Sequence, residues 1–245
     1  MFDTGIRPAI DDYLAAQQAK QRDYGDYWSA SSAGYCHRKL IFERLGVPPI
    51  ERDSDARRTR VFESGNIFHS WVQGITKKAG LSIAQELELQ DDDIMVRGHV
   101  DDIISIDGKL MLYDYKTQHS GAFTFQKNRP ISHYHEFQIG TYLHMLRHNE
   151  AYKDLVEARV MKISKDDLRM AENQIFWTQE LDDAVCDYWN DLNDWWERER
   201  IPPCTCADYE GGFMSREKFN PYFFNGQPCS LEYYEKWKLT KEEEV

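Results

Sequence analysis

The chain has 245 residues, 41% of them hydrophobic and 13% aromatic, and a formal net charge of −12. This length and composition indicate a globular protein that can bury one substantial core. No stretch has the ~18 consecutive apolar residues that a membrane span needs, and the N-terminus lacks the apolar core of a signal peptide. We therefore expect no membrane association and an intracellular, cytoplasmic location.

The negative charge is concentrated near the C-terminus. Residues 180–245 contain 16 acidic and 7 basic residues, whereas residues 36–70 contain 5 acidic and 7 basic ones. Residues 115–150 are also mildly basic, with 4 basic and 2 acidic residues. Because local charge decides where a phosphate chain can lie, the overall acidity does not exclude a nucleic-acid partner.

The hydrophobic pattern predicts helices and strands in a mixed order. The predicted helices are Pro8–Arg22, Ala33–Leu45, Val61–Ala79, Ser132–Asn149 and Leu181–Arg200. The predicted strands are Leu81–Gln90, Ile94–Ile106, Lys109–Thr117, Leu155–Ser164 and Asn173–Thr178. Gln118–Pro130 and the chain beyond Pro203 are predicted to be irregular, and the third helix to bury Phe62, Ile67 or Phe68, Trp71 or Val72, and Ile75. This order favours an α/β core sheet flanked by helices.

One predicted hairpin carries the strongest chemical signal. Asp107–Gly108 is a two-residue turn signal, and pairing about it places Asp101 opposite Asp114, with Cβ atoms about 5 Å apart. Lys116 lies on the same face as Asp114 because side chains alternate along a strand. Two opposed carboxylates destabilise a sheet unless a positive charge lies between them, and a divalent metal would supply that charge.

Four short motifs follow one another in the order helix, strand, strand, helix. They are Gly65-Asn66-Ile67-Phe68-His69, Gly98-His99-Val100-Asp101, Asp114-Tyr115-Lys116, and Gln138 with Tyr142. Each motif alone is common. An Asp pair can be solvated by chance, and a helical histidine is more often part of a core than a ligand. Their joint order resembles the PD-(D/E)XK nuclease superfamily. Within it, the pattern is similar to the RecB-like branch, which includes the RecB nuclease domain, AddB-type nucleases and CRISPR-associated RecB-like exonucleases.

The resemblance implies a fold and roles for these residues. The fold is a restriction-endonuclease-like core, in which a mixed central sheet is flanked by helices. His69, Asp101, Asp114 and the backbone carbonyl of Tyr115 would hold Mg²⁺ or Mn²⁺. Lys116 would orient the attacking water, and Gln138 and Tyr142 would support the site. Asp102 is expected to face away, and Glu86 is a weaker candidate for the site.

Five cysteines form a second pattern. The resemblance implies that Cys36, Cys204, Cys206 and Cys229 hold a [4Fe–4S] cluster joining the two ends of the domain, with zinc as the alternative. The pattern departs from the family, because Cys204-Thr205-Cys206 is followed by a long gap before the third cysteine. Cys186 is expected to be a small buried core residue.

These features predict one nuclease domain over residues 1–245, with its core at about 55–180 between an N-terminal helical segment 1–50 and a C-terminal segment 201–245. The expected activity is a metal-dependent deoxyribonuclease, acting as an exonuclease on single-stranded DNA or DNA ends. The alternatives are a structure-specific endonuclease, or a DNA-end-binding subunit of a recombination or CRISPR-adaptation complex. A helicase partner and a bacterial, archaeal or phage-infected cell are expected from the resemblance. Basic and aromatic residues form a candidate DNA path: Arg57, Arg58, Arg60, Phe123, Phe125, Lys127 and Arg129.

Overall fold

The computed structural model describes residues 5–18, 25–50, 55–206 and 220–243. Its helices are α1 (Ile6–Gln18), α2 (His37–Arg44), α3 (Asp55–Lys78), α4 (Ser120–Gln126), α5 (His133–Arg147), α6 (Gln179–Glu197) and α7 (Leu231–Glu243). Its strands are β1 (Trp28–Ser29), β2 (Ser82–Asp91), β3 (Val96–Ile106), β4 (Lys109–Gln118), β5 (Glu157–Ser164) and β6 (Met170–Phe176). Among these residues, no helix is both long and apolar enough to cross a membrane.

The strands form one mixed sheet. β3 pairs antiparallel with β2 and β4, β4 pairs parallel with β5, and β5 pairs antiparallel with β6. The two-residue β1 runs parallel to β3 at Val96 and Arg97. The parallel β4–β5 pair requires a crossover, which α4 and α5 provide. The predicted fold class, a mixed central sheet flanked by helices, is therefore confirmed.

The β3–β4 hairpin has the predicted register from Ile106–Lys109 to Asp102–Tyr113. Asp107 and Gly108 both have positive φ angles, 52° and 80°, which a two-residue turn of this hand requires. The ladder ends one residue before Asp101, which pairs in neither the β2 nor the β4 ladder. Asp101 therefore lies at a break in the sheet, and its side chain is free to turn towards neighbouring elements.

The two faces of the sheet are covered by different helices. One face packs against α5 and α6 in the largest core cluster, which contains Leu112, Val160, Leu143 and Trp189. The other face packs against α3 through Val72, with Phe68 partly buried beside it. The site residues lie where the β3–β4 hairpin emerges between these two layers.

Gly98 allows α5 to pack closely on β3. A Cβ atom added at this position would lie 2.9 Å from Tyr142 and 2.7 Å from Ala30, both closer than real contacts allow. Only a residue without a side chain therefore fits between Tyr142 and the strand.

Several predicted elements were wrong or incomplete. The predicted loop 118–130 contains α4, which His119 caps by accepting a hydrogen bond from the Ala122 backbone N–H, and the C-terminal segment contains α7. The predicted buried stripe of α3 is half wrong, because only its Phe68 and Val72 alternatives pack inwards. The other members are exposed: Phe62, Ile67, Trp71 and Ile75. Residues 19–22 of the predicted first helix lie outside the described residues.

Candidate functional site

Four elements, α3, β3, β4 and α5, converge at the end of the β3–β4 hairpin that lies away from its turn. α3 contributes a histidine, the two strands contribute two carboxylates and a lysine, and α5 contributes an amide and a phenol. These side chains are His69, Asp101, Asp114, Lys116, Gln138 and Tyr142. The structure thus brings the predicted site residues together.

Lys116 is the most constrained side chain of this group. Its Nζ donates hydrogen bonds to Asp114 Oδ1 and Gln138 Oε1, both at 3.0 Å. Burial alone would lower the pKa of Lys116, but the charges of Asp114 and then Asp101 outweigh burial and raise it. The charged form of the ammonium group is therefore favoured, which suits a group that stabilises negative charge.

Asp114 has one oxygen without a hydrogen bond. The residue is 3% exposed, and the Lys116 ammonium lies 3.0 Å from Oδ2 but donates to Oδ1. Within the described part of the chain, Asp114 Oδ2 is a buried acceptor with no hydrogen-bond donor. A buried carboxylate oxygen in this state costs free energy unless a cation binds it, so Asp114 fits the metal-ligand role.

The negative charge of the Asp101 carboxylate has few stabilising partners. Its Oδ2 accepts a hydrogen bond from the Tyr115 backbone N–H at 2.7 Å. Burial, and then the negative charge of Asp114, raise the pKa of Asp101 to about 8. Two carboxylates that disfavour each other's ionisation are the environment in which a divalent cation stabilises both charges.

His69 completes the group from α3. Its Nδ1 lies 3.5 Å from Asp101 Oδ2, and its ring packs edge-on against Tyr115 at 6.0 Å between centroids. Burial lowers the pKa of His69, so the imidazole is neutral and can offer a lone pair to a metal.

Asp102 turns away from the site, as predicted, and its hydrogen bonds connect the elements that carry the site. It is fully buried and accepts hydrogen bonds from Thr76 at 2.7 Å, Ser82 at 2.5 Å and the Tyr115 hydroxyl at 3.1 Å. These bonds connect α3 to both strands of the hairpin, so Asp102 holds together the elements that carry the site.

Glu86 lies at the rim of the site on β2. Its backbone has a φ of 49°, which is rare for a residue with a side chain, and Gln73 Nε2 donates to both Glu86 Oε1 and the Asp101 backbone carbonyl. The negative charge of Glu86 further raises the pKa of Asp101. Sequence analysis named Glu86 as a weaker candidate and did not find Gln73.

His135 is a further neighbour that sequence analysis missed. Burial, and then the charge of Lys116, lower the pKa of His135 to about 4, so its imidazole is neutral beside Asp114 and Lys116. Its position three residues before Gln138, on the same face of α5, could have identified it.

The four predicted cysteines form a separate cluster. Cys36 precedes α2, and its Sγ lies 4.0 Å from Cys204 Sγ, while Cys206 and Cys229 have their Sγ atoms 3.5 Å apart. All four sulfur atoms lie within 4.8 Å of one another. Asn220 Nδ2 donates to two of them, Cys206 at 3.4 Å and Cys229 at 3.2 Å. The site therefore joins the N-terminal and C-terminal segments, as predicted.

Cys186 and the DNA path differ in part from prediction. Cys186 packs against the largest core cluster, as predicted, but it is half-buried instead of buried, and its Sγ also contacts His144 at 3.5 Å. Phe123 is 2% exposed, so it packs in the core and cannot stack on a base. Arg60 forms an ion pair with Asp11.

The remaining path residues reach the surface. Phe125 is 61% exposed, with the Arg129 guanidinium 3.6 Å from its ring centroid. Arg57, Arg58 and Lys127 are also exposed.

A comparison with family models identifies the chain's superfamily. Residues 76–203, which are 128 of the 245 residues, match the model of the PD-(D/E)XK nuclease superfamily. The chain therefore belongs to the PD-(D/E)XK nuclease superfamily, and the predicted membership is confirmed. Among curated proteins, no relative matches this chain.

Several solved structures resemble this chain at low sequence identity, and one of them, SSO0001, shows the same fold. SSO0001 is 16% identical with a TM-score of 0.55, and the match covers 82% of this chain and 95% of that one. LHK-Exo, an alkaline exonuclease from Laribacter hongkongensis solved with dAMP, is 14% identical with a TM-score of 0.47, covering 77% and 93%. A phage-related exonuclease from Haemophilus somnus is 13% identical with a TM-score of 0.44, covering 66% and 80%.

Proposed function

We propose that this chain is a metal-dependent deoxyribonuclease of the RecB-like branch, acting as an exonuclease on single-stranded DNA or DNA ends. The observation that carries the proposal is the position of Lys116, held between Asp114 and Gln138 beside Asp101 and His69. Superfamily membership supports the nuclease activity.

The donor set fits a divalent cation. His69, Asp101, Asp114 and the Tyr115 carbonyl would hold Mg²⁺ or Mn²⁺, because an oxygen-rich site with one imidazole suits these ions. When bound there, such an ion supplies a polarised phosphate and an activated water. Asp114 Oδ2, which accepts no hydrogen bond from the described residues, and the raised pKa of Asp101 both support this assignment.

In this proposal, Lys116 does not act as a base. Its charged ammonium group orients the attacking water and stabilises negative charge on the phosphate. Gln138 fixes the ammonium from α5, and Tyr142, with its hydroxyl 3.5 Å from Gln138 Nε2, supports that amide. Gln138 and Tyr142 thus position Lys116 from the helix.

The test measures cleavage of labelled single-stranded, double-stranded and circular single-stranded DNA with Mg²⁺ or Mn²⁺. Wild type should degrade linear DNA, and Asp114→Asn and Lys116→Ala should each lower the rate at least about 100-fold, as expected for losing one preorganised charge. The matched control is Lys153→Ala, an exposed lysine paired only with Glu150 at the surface, which should retain wild-type activity.

The results with circular and linear DNA distinguish the exonuclease from the two alternative functions. Cleavage of circular single strands would favour the structure-specific endonuclease over the exonuclease. If wild type cuts no substrate with any metal but binds linear ends in a gel-shift assay, the protein is a DNA-end-binding subunit and the enzymatic proposal is wrong. We also propose a helicase or a recombination or CRISPR-adaptation complex as partner, which the family resemblance implies.

We propose that the four clustered cysteines hold a [4Fe–4S] cluster, which the family resemblance implies. Zinc is a second candidate that one observation favours. A zinc ion with bonds of about 2.3 Å holds tetrahedral thiolates roughly 3.8 Å apart. The measured Sγ separations of 3.5 Å and 4.0 Å are close to that value.

Elemental analysis of the protein purified without oxygen distinguishes a [4Fe–4S] cluster from a zinc ion. A cluster gives a brown protein with equal iron and sulfide, whereas zinc gives a colourless protein with one zinc ion in this site. Cys36→Ala should lose the metal in either case, and Cys186→Ala, which removes a cysteine outside the cluster, should retain it. Equal metal content in wild type and Cys36→Ala would show that these cysteines bind none.

A further inference from the structure

A second group of metal-ligating side chains lies where the β2–β3 turn meets the C-terminal half of α5. Asp91 ends β2, His144 lies in the last turn of α5, and His148 is the C-cap residue directly after that helix. One ligand atom from each of these three residues lies within 4.8 Å of the other two. The group is separate from the nuclease site, because Asp91 pairs with Val96, five residues or about 17 Å along β3 from Asp101.

The two distances from Asp91 to the histidine nitrogens are close to the edge length of a coordination tetrahedron. Asp91 Oδ2 lies 3.1 Å from His148 Nδ1 and 3.5 Å from His144 Nε2. Zinc bonds of 2.0–2.1 Å place tetrahedral donors about 3.3 Å apart. The longer of the two contacts exceeds the usual N–H···O range, so a direct hydrogen bond explains it poorly.

Asp91 is already oriented for this role. Its Oδ1 accepts hydrogen bonds from the backbone N–H groups of Asp93 at 3.0 Å and Ile94 at 3.2 Å. The turn thereby fixes a carboxylate that is only 7% exposed and directs Oδ2 at the two histidines. No rearrangement of the backbone is needed to present this oxygen.

His144 has the outer hydrogen bond that metal-binding histidines usually make. Its Nδ1 lies 2.9 Å from Asp182 Oδ1, and the same oxygen accepts from Trp177 Nε1 at 3.0 Å. A carboxylate on one imidazole nitrogen fixes the tautomer and leaves the other nitrogen for a metal.

We propose that Asp91, His144 and His148 bind a Zn²⁺ ion that joins the β2–β3 turn to α5. Two imidazoles and one carboxylate suit zinc better than Mg²⁺, which prefers oxygen ligands. The His148 side chain is 58% exposed, so the fourth position opens to solvent and takes a water molecule. The proposal does not depend on nuclease activity.

A neighbouring trio, His144, Asp182 and Cys186, also has its ligand atoms within 4.8 Å. Asp182 Oδ1 is already occupied by hydrogen bonds from Trp177 and His144, which makes this trio the weaker site. The two trios share only His144. His148 belongs to the first trio and Cys186 to the second, so a substitution at either residue affects one trio alone.

The experiment measures zinc binding to the full chain in excess Mg²⁺, which occupies the oxygen-rich site. Wild type should bind one more zinc per chain than His148→Ala, and the variant should bind at that site at least about 100-fold more weakly, beyond the range seen on losing an outer-shell partner. Because His148 is exposed, the substitution leaves the core intact. His119→Asn, which removes an exposed histidine and keeps a capping side chain, should bind zinc like wild type.

Cobalt as a probe identifies the ligands. Co²⁺ in this site should show visible d–d absorption without the ultraviolet thiolate-to-cobalt charge transfer that the cysteine cluster would give. Loss of the extra ion in Cys186→Ser instead of His148→Ala would move the site to the neighbouring trio and overturn the proposal. Equal binding by wild type and His148→Ala would show that these residues form only a buried ion-pair network.

Discussion

Two buried carboxylates in the same sheet, Glu157 on β5 and Asp101 on β3, have opposite electrostatic environments. Glu157 is 1% exposed and accepts hydrogen bonds from Arg159 at 2.8 Å and 2.9 Å, from Gln174 at 2.7 Å and from Lys109. Burial alone would raise the pKa of Glu157, but these partners, beginning with Lys109, outweigh it and lower the pKa.

Asp101 receives much less compensation from the chain. It accepts one backbone hydrogen bond from Tyr115, and burial together with the Asp114 charge raises its pKa to about 8. The charge of a structural carboxylate is therefore stabilised by partners within the sheet, whereas the carboxylate of the proposed active site lacks such partners, and its ionised form is disfavoured without a metal. A carboxylate in this environment is typical of a site that receives a cation from outside.

The largest expected effects are opposite in two isosteric substitutions. One should lose activity and keep its stability, and the other should keep activity and lose stability. Asp101→Asn should lower DNA cleavage at least about 100-fold, because a metal ligand is lost. Its unfolding free energy without metal should stay equal or rise, because a repulsion with Asp114 disappears. Glu157→Gln should keep the cleavage rate but lose about 1–3 kcal/mol of unfolding free energy. This loss is smaller than that of a fully buried pair, because Lys109 and Arg159 reach solvent.

Chemical denaturation in chelator and nuclease assays in Mg²⁺ measure the two effects. The comparison would fail if Asp101→Asn destabilised the metal-free protein by as much as Glu157→Gln. Both carboxylates would then be structural, and the metal-ligand role of Asp101 would be wrong.

A smaller effect is a pair of opposite pH dependences in chelator. The lowered pKa of Glu157 stabilises the fold above its unfolded value of about 4.3, and this stability is lost as pH falls through the folded value. The raised pKa of Asp101 has the reverse sign, so its contribution is lost as pH rises from about 4 towards 8. The free-energy difference between wild type and Glu157→Gln should therefore grow with pH, and that between wild type and Asp101→Asn should fall.

Denaturation curves across pH 3 to about 8 measure both slopes, a range that spans the unfolded pKa values of the two carboxylates. Slopes of the same sign would mean that Asp101 is compensated like Glu157. Added Mg²⁺ should remove the Asp101 slope, because bound metal favours the ionised carboxylate.

The hairpin was predictable from the sequence because its information is local. Asp107–Gly108 fixes the turn, the turn fixes the register, and alternation then places Asp114 and Lys116 on one face. The grouping with Gln138 came from the family resemblance, since no local rule connects α5 to β4.

Other features depend on long-range packing that no local pattern contains. The hydrogen bonds from Gln73 to Glu86 and to the Asp101 backbone join a helix to two strands, and the contact between Asp91 and His144 joins positions 53 residues apart. α4 is a short helix held by the His119 cap and the burial of Phe123, so its sequence reads as a loop.

The two ends joined at the cysteine cluster have a consequence for the order of events during synthesis. Residues 69 to 142, which carry the whole proposed active site, leave the ribosome before Cys204 is made. The contact between Cys36 and Cys204 spans 168 positions and is among the last that the growing chain can form. Closure of the cysteine cluster is therefore a late step, which follows synthesis of all the strands of the sheet.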